Sequence, residues 1–260
     1  MVERPAQRPA AVQSVDRGVD LLELLADSGG QATLSELATT TGLPLPTIHR
    51  LMRTLLARGY VRQLPSRRYA LGPRLIRLGE CAGQQFGADS RPLLTELASE
   101  LGESANLAMI DFDMAVYVAQ ASSGHSVRMF TEVGRRVRMH CTGVGKVILA
   151  QLDDDAVRDI ARRAGLPAAT DRSITRVDDL ISELQKIREQ GFAVDDGEQE
   201  IGVRCYAVAV PDAPVHTALS LSGPDSRVTA EFGVRAVPAL QATAARISAT
   251  LTPSTDMRAE

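Results

Sequence analysis

From the amino end, apolar positions fall at helical spacing in three successive stretches before the period changes. Val12, Val15, Val19, Leu22 and Leu25 form the first, closed by Ser28-Gly29-Gly30, and predict an amphipathic helix that packs through those residues. Thr33 precedes Leu34-Ser35-Glu36-Leu37-Ala38 with Glu36 three positions on, a capping-box signature, and Gly42 suits the left-handed residue just past the end of that second helix. Pro46 suits the first turn of a third helix ending at Gly59. Its stripe of Ile48, Leu51, Met52, Leu55 and Leu56 is backed by a polar face of Thr47, His49, Arg50, Arg53, Thr54 and Arg58. Two β-prone runs, Tyr60–Leu64 and Tyr69–Leu71, flank Pro65-Ser66-Arg67-Arg68 and read as a hairpin.

Helical spacing returns over Arg74 to Gln85 (Leu75, Ile76, Leu78, Cys81) and over Pro92 to Gly102 (Leu93, Leu94, Leu97, Leu101). Strands are predicted at Ala105–Ile110, Met114–Ala119 and Val127–Phe130. Helices follow at Gly145–Leu152, Asp154–Ala164 and Val177–Gln190, then strands at Val203–Val210 and Thr217–Leu221, and a last helix over Ala236–Leu251. Strands, helices, strands and helix in that order predict an α+β domain with helices packed on a sheet. The chain therefore divides into a tail over 1–11, a helix-turn-helix with a hairpin wing over 12–78, a linker helix over 79–91, a larger α+β domain over 92–252 and a tail over 253–260.

Charge sharpens this division. The 260-residue chain has a net charge of -3, but residues 1–78 hold 11 Arg against 6 acids, and residues 37–79 hold eight Arg and no acid at all. An acid-free arginine block on a helix-turn-helix is the electrostatic footprint of a phosphate-binding surface, and a solvated basic face that binds nothing is the blander reading. The third helix fits a recognition helix. Arg50 and Arg53 can pair with guanine or phosphate, Thr47 and His49 can reach base edges or phosphates, and Arg67 and Arg68 fall at the wing tip beside the backbone. Double-stranded DNA is the expected partner.

Composition removes several classes. With no Trp, five Phe and four Tyr, an aromatic platform for single-stranded nucleic acid is not expected. No apolar run approaches a membrane span and the start lacks a signal-peptide core, so a cytoplasmic protein without a membrane partner is expected. Three widely spaced cysteines, Cys81, Cys141 and Cys205, indicate neither a disulfide framework nor a zinc site, and neither a metal nor another cofactor is expected.

Three stretches of the larger domain are candidates for a ligand site. His140-Cys141-Thr142-Gly143-Val144-Gly145-Lys146-Val147 places two glycines where a helix begins, baring amides at the positive end of its dipole. A P-loop needs Gly where His140 stands and Ser or Thr where Val147 stands, and a dinucleotide fingerprint needs Gly where Ile148 stands; both fail. An anion site and a tight turn without ligand stay open. An acidic loop, Val194 to Glu200, leads into the strand holding Cys205, and Ser220 and Ser222, two apart, share one face of a later strand. Catalysis is not expected. His140 beside Cys141, if on a strand, points to the opposite face, and no HExxH, CxxC or GxSxG occurs.

On Ser14-Val15-Asp16-Arg17-Gly18, Gly42 through Leu51, and Tyr69-Ala70-Leu71-Gly72, the chain resembles the IclR family of regulators over about residues 12–252. The resemblance implies a winged helix-turn-helix joined to a GAF-like α+β effector domain, a homodimer or dimer of dimers on a pseudo-palindromic operator, and repression. It implies that a small carboxylate such as glyoxylate, allantoate or an aromatic acid binds the amides of Gly143 and Val144, with Asp195, Cys205, Ser220 and Ser222 around it. Two departures stand out. Leu45-Pro46 replaces a polar pair that would cap the recognition helix, and the turn between Cys205 and Ser220, Pro211-Asp212-Ala213-Pro214, is short and lacks glycine. A metabolite sensor acting through protein partners is the alternative from another class.

Overall fold

The computed structural model describes residues 12–85, 90–125 and 131–251. Contacts divide the chain into two units, Met1–Ala82 and Gly83–Glu260. The strand expected at Val127–Phe130 and the two tails lie outside the described residues.

The first unit holds α1 (Gln13–Asp27), β1 (Gln31–Ala32), α2 (Leu34–Thr41), α3 (Leu45–Ala57), β2 (Val61–Gln63), β3 (Tyr69–Leu71) and most of α4 (Arg74–Gln85). α2 begins as its sequence dictates. Thr33 N–H donates to Glu36 Oε2 at 2.7 Å, Glu36 N–H donates to Thr33 Oγ1 at 3.2 Å, and Gly42 closes the helix at φ 66°. α3 has no side-chain cap at Pro44.

The core of this unit is Leu21, Leu25, Leu37, Ile48 and Met52 with Val61 and Tyr69. Part of the expected apolar face is corrected here. Val12, Val15 and Val19 are exposed because only the second half of α1 lies over the core, through Leu21 and Leu25; Leu56, near the end of α3, is exposed as well. Ile76, Leu78 and Cys81 on α4 are exposed too. α4 covers Arg74–Gln85, the stretch expected to be helical from its spacing, and so begins before residue 79, where the linker segment is drawn from the sequence. Also unforeseen, β1 pairs with β3 and makes the wing hairpin a three-stranded sheet.

The second unit contains α5 (Arg91–Leu101), β4 (Ser104–Asp111), β5 (Met114–Ala121), β6 (Arg136–Val137), α6 (Gly143–Ala150), α7 (Asp154–Ala164), α8 (Val177–Gln190), β7 (Ala193–Asp196), β8 (Val203–Ala209), β9 (Thr217–Pro224) and α9 (Ala230–Leu251). Among the described residues six strands form an antiparallel sheet in the order β6-β5-β4-β9-β8-β7. One face, through Leu107, Val208, Leu219 and Leu221, packs on α5 and α9; the other, through Ala108, Ala207 and Ala218, packs with α6, α7 and α8. Strand alternation explains the split, since side chains two apart share a face.

Three expectations shift in this unit. The acidic stretch read as a loop is half strand, because Ala193–Asp196 pairs with β8 and Gly197 (φ 75°) and Gly202 (φ 83°) make the turn. The last helix starts at Ala230, six residues early, where Thr229 Oγ1 accepts the Phe232 N–H at 3.2 Å. The glycine-free β8–β9 turn closes with Asp212 at φ 52°, a conformation that Asp tolerates better than most residues. Among the described residues no helix is long and apolar enough to cross a membrane.

Candidate functional site

In the first unit, α3 turns His49, Arg50, Arg53, Thr54 and Arg58 outward, while Ile48 and Met52 hold its back to the core and Thr47 is half-buried. The guanidinium groups of Arg50, Arg53, Arg58, Arg62 and Arg67 have no carboxylate partner among the described residues. Unpaired cations on an exposed helix face are available to phosphates and base edges. The two wing arginines differ. Arg67 stands exposed at the turn with φ 61°, whereas Arg68 folds back to Glu36, at 3.0 Å, and to the Gln31 carbonyl, at 3.2 Å. Its guanidinium ties the wing to the start of α2, and the hydrogen bond from Thr33 with the Arg68 charge keeps the Glu36 carboxyl below its usual range.

In the second unit, strand register assembles the ligand candidates. Asp195 on β7 lies opposite Cys205 on β8, and Cys205 lies opposite Ser222 on β9. All three are buried and face α6. The N-terminus of α6 sits directly on this row. A Cβ on Gly143 would fall 2.8 Å from Cys205 Sγ, and one on Gly145 would fall 2.3 Å from the Met139 Cα, so both glycines are required for close approach. The Thr142 hydroxyl accepts the Gly145 N–H at 3.2 Å. Gly143 and Val144, the first two helical positions, have no intrahelical acceptor for their amides.

Asp195, Cys205, Ser222, Gly143 and Thr142 line one cavity of about 540 Å³ including its open mouth, whose other walls include Tyr117, Arg135 and Gln199. One expected position stands back from it: Ser220, fully buried, lies one pleat further along, opposite Ala207. The Val144 side chain turns into the core, which leaves its amide, the contact expected of it, at the start of α6. Tyr117 and Arg135 were missed, because they meet the glycine turn only in the folded sheet; Thr142 and Gln199 lie inside the stretches singled out in the sequence, next to the turn and in the acidic segment, without having been named for the site.

Burial dominates the electrostatics. It raises the Asp195 carboxyl to about 7, although the Glu198 N–H donates to its Oδ1 at 2.8 Å, and it pushes the Cys205 thiol up to about 12. Cys141 is raised to about 11, again by burial, and donates to Gln199 Oε1 at 3.1 Å. Neither thiol has the low pKa of an activated nucleophile. His140 and Cys141 lie in a turn and not on a strand as expected, and they still diverge, with His140 Nε2 3.0 Å from the Pro167 carbonyl. Lys146, which follows the glycine turn, is not free for a ligand. It is buried and donates to Glu198 and to the Val194 carbonyl, and its Nζ is 3.5 Å from Glu183.

The family model for "Bacterial transcriptional regulator IclR C-terminal" matches residues 83–249, and that for the "IclR helix-turn-helix domain" matches residues 14–65. The chain belongs to the IclR family. The transcriptional repressor IclR of Escherichia coli K12 is 36% identical over 239 residues, covering 88% of this chain and 87% of that protein. An IclR transcriptional regulator from Alicyclobacillus acidocaldarius superposes with a TM-score of 0.81 at 34% identity, covering 93% of this chain and all of that one. An IclR homolog from Microbacterium hydrocarbonoxydans, crystallised with 4-hydroxybenzoate, shares the fold at 20% identity, with a TM-score of 0.78 over 93% of this chain and all of that one. IclR-family proteins are DNA-binding transcription regulators and not enzymes.

Proposed function

We propose that this IclR-family protein is a repressor whose hold on its operator is modulated by a small carboxylate bound in the 540 Å³ cavity. The observation that carries the reading is the placement of the α6 N-terminus on the Asp195–Cys205–Ser222 row. Two unpaired amides at the positive end of a helix face a hydroxyl, a thiol and a carboxyl that burial brings to about 7. A carboxylate seated there accepts from Gly143 and Val144, from Ser222, and from Asp195 when it carries its proton. The 4-hydroxybenzoate of the Microbacterium homolog is a carboxylate on the same fold, and it keeps aromatic acids in view beside glyoxylate and allantoate.

On the DNA side, Thr47, His49, Arg50 and Arg53 read the major groove, with Arg67 on the adjoining backbone. A homodimer or dimer of dimers presents two such helices to a pseudo-palindrome. Effector binding changes operator affinity by no more than its own preference between the free and DNA-bound arrangements. The test is gel-shift titration of DNA from upstream of the protein's own and neighbouring genes, with and without a panel of small acids. Specific binding relieved by one acid supports the whole reading. Specific binding that no acid alters removes the cavity from it.

A further inference from the structure

The cavity continues outward. An open groove of about 710 Å³ adjoins it and shares Arg135, Val137 and Gln199 with its wall. The groove is lined by Arg135, Arg136 and Arg138, and no Asp or Glu lines it. Arg136 is neutralised by Asp111 at 2.9 Å, and Arg138 donates to the Ala164 carbonyl at 3.2 Å. Arg135, exposed at the junction of the two chambers, has no carboxylate partner among the described residues.

This deepens the reading above, rests on it and sets aside the singly charged acids named there: we infer that the effector is an acid with two anionic groups, one carboxylate seated at the α6 amides and a second group, carboxylate or phosphate, held by Arg135 in the outer groove. Arg135 immediately precedes β6 at one edge of the sheet, Asp195 lies on β7 at the other, and both line the same cavity. Glu200 also lines the inner cavity but not the outer groove, whereas Arg135 lines both; the two are equally exposed, and it is in the acid-free groove that the Arg135 charge is unopposed. A guanidinium engages carboxylate or phosphate in two-pronged fashion, which favours such a group over a neutral tail.

Isothermal titration of the full-length protein with glutarate against butyrate, and with a phosphorylated three-carbon acid, reads the inference directly. At least one dianion is expected to bind about tenfold or more tightly than the matched monoanion, with the advantage shrinking as salt rises. Arg135→Gln should bring the dianion down to the monoanion measured in the same variant, and Arg135→Lys should restore part of the gap. Equal affinities in the wild type, or a preference that survives Arg135→Gln, overturns the inference while leaving the inner cavity as a carboxylate site. Binding of none of these acids by protein that still shifts its operator overturns this inference, and failure of glyoxylate and 4-hydroxybenzoate in the same titration overturns the cavity reading with it.

Discussion

In residues 12–82 the groups offered to a partner stand apart in solvent, whereas in residues 83–251 they are buried and held in register. Arg50 and Arg53 leave one helix face with no carboxylate partner, and their positions follow from a 3.6-residue repeat within 13 residues. Asp195, Cys205 and Ser222 come from three strands, and α6 meets them only because Gly143 lacks a Cβ. A surface that meets a polyanion needs charge and a local scaffold. A site that holds a small acid needs exclusion of water and convergent donors, which only long-range packing supplies. Disturbing one kind of site should therefore cost binding alone, and disturbing the other should cost folding first.

Lys146→Ala should show the largest effect. Removing a fully buried ammonium leaves Glu198 without its cation, and breaking a buried pair in this way costs on the order of 3–5 kcal/mol. Urea unfolding should show that loss, and a change below about 1 kcal/mol would mean the cluster is not ionic in the folded state. Arg50→Ala or Arg53→Ala should weaken operator binding by roughly 1–3 kcal/mol and lower the salt slope, with no change in the urea midpoint. A shifted midpoint would erase the contrast between the two units.

Asp195 provides a pH test. Its carboxyl titrates near 3.8 when unfolded and near 7 when buried, so the native state binds the extra proton between those values. Stability should decline as pH climbs from about 4 to about 7 and then level off for this group. Effector affinity carries the same sign, falling about tenfold between pH 6 and pH 8 as the donor proton is lost. Asp195→Asn, a permanent donor, should flatten both profiles in titration calorimetry and in melts; a wild-type affinity independent of pH would place the carboxyl away from the ligand. The smallest effect is expected from Arg68→Ala. Because Arg68 is engaged with Glu36, operator affinity should stay within about twofold, while Arg67→Ala should reduce it further. Equal losses would show that Arg68 leaves Glu36 when DNA binds.

By itself the sequence determined the local features. The Thr33–Glu36 capping box, the apolar back and cationic front of α3, the hairpin, the α+β order and the glycine turn ahead of α6 all depend on residues within a few positions of one another. Helix periods and caps act over that range, so they can be read along the chain. Tertiary structure decided the rest. It left Val12, Val15 and Val19 in solvent although they sit at helical spacing, turned Arg68 onto Glu36, and made Ala193–Asp196 a strand by giving it β8 as a neighbour. It also brought Tyr117, Arg135 and Gln199 to the cavity wall. Which apolar face is covered, which cation is neutralised and which polar groups converge depend on partners distant in the chain, and those partners are fixed only when the sheet closes.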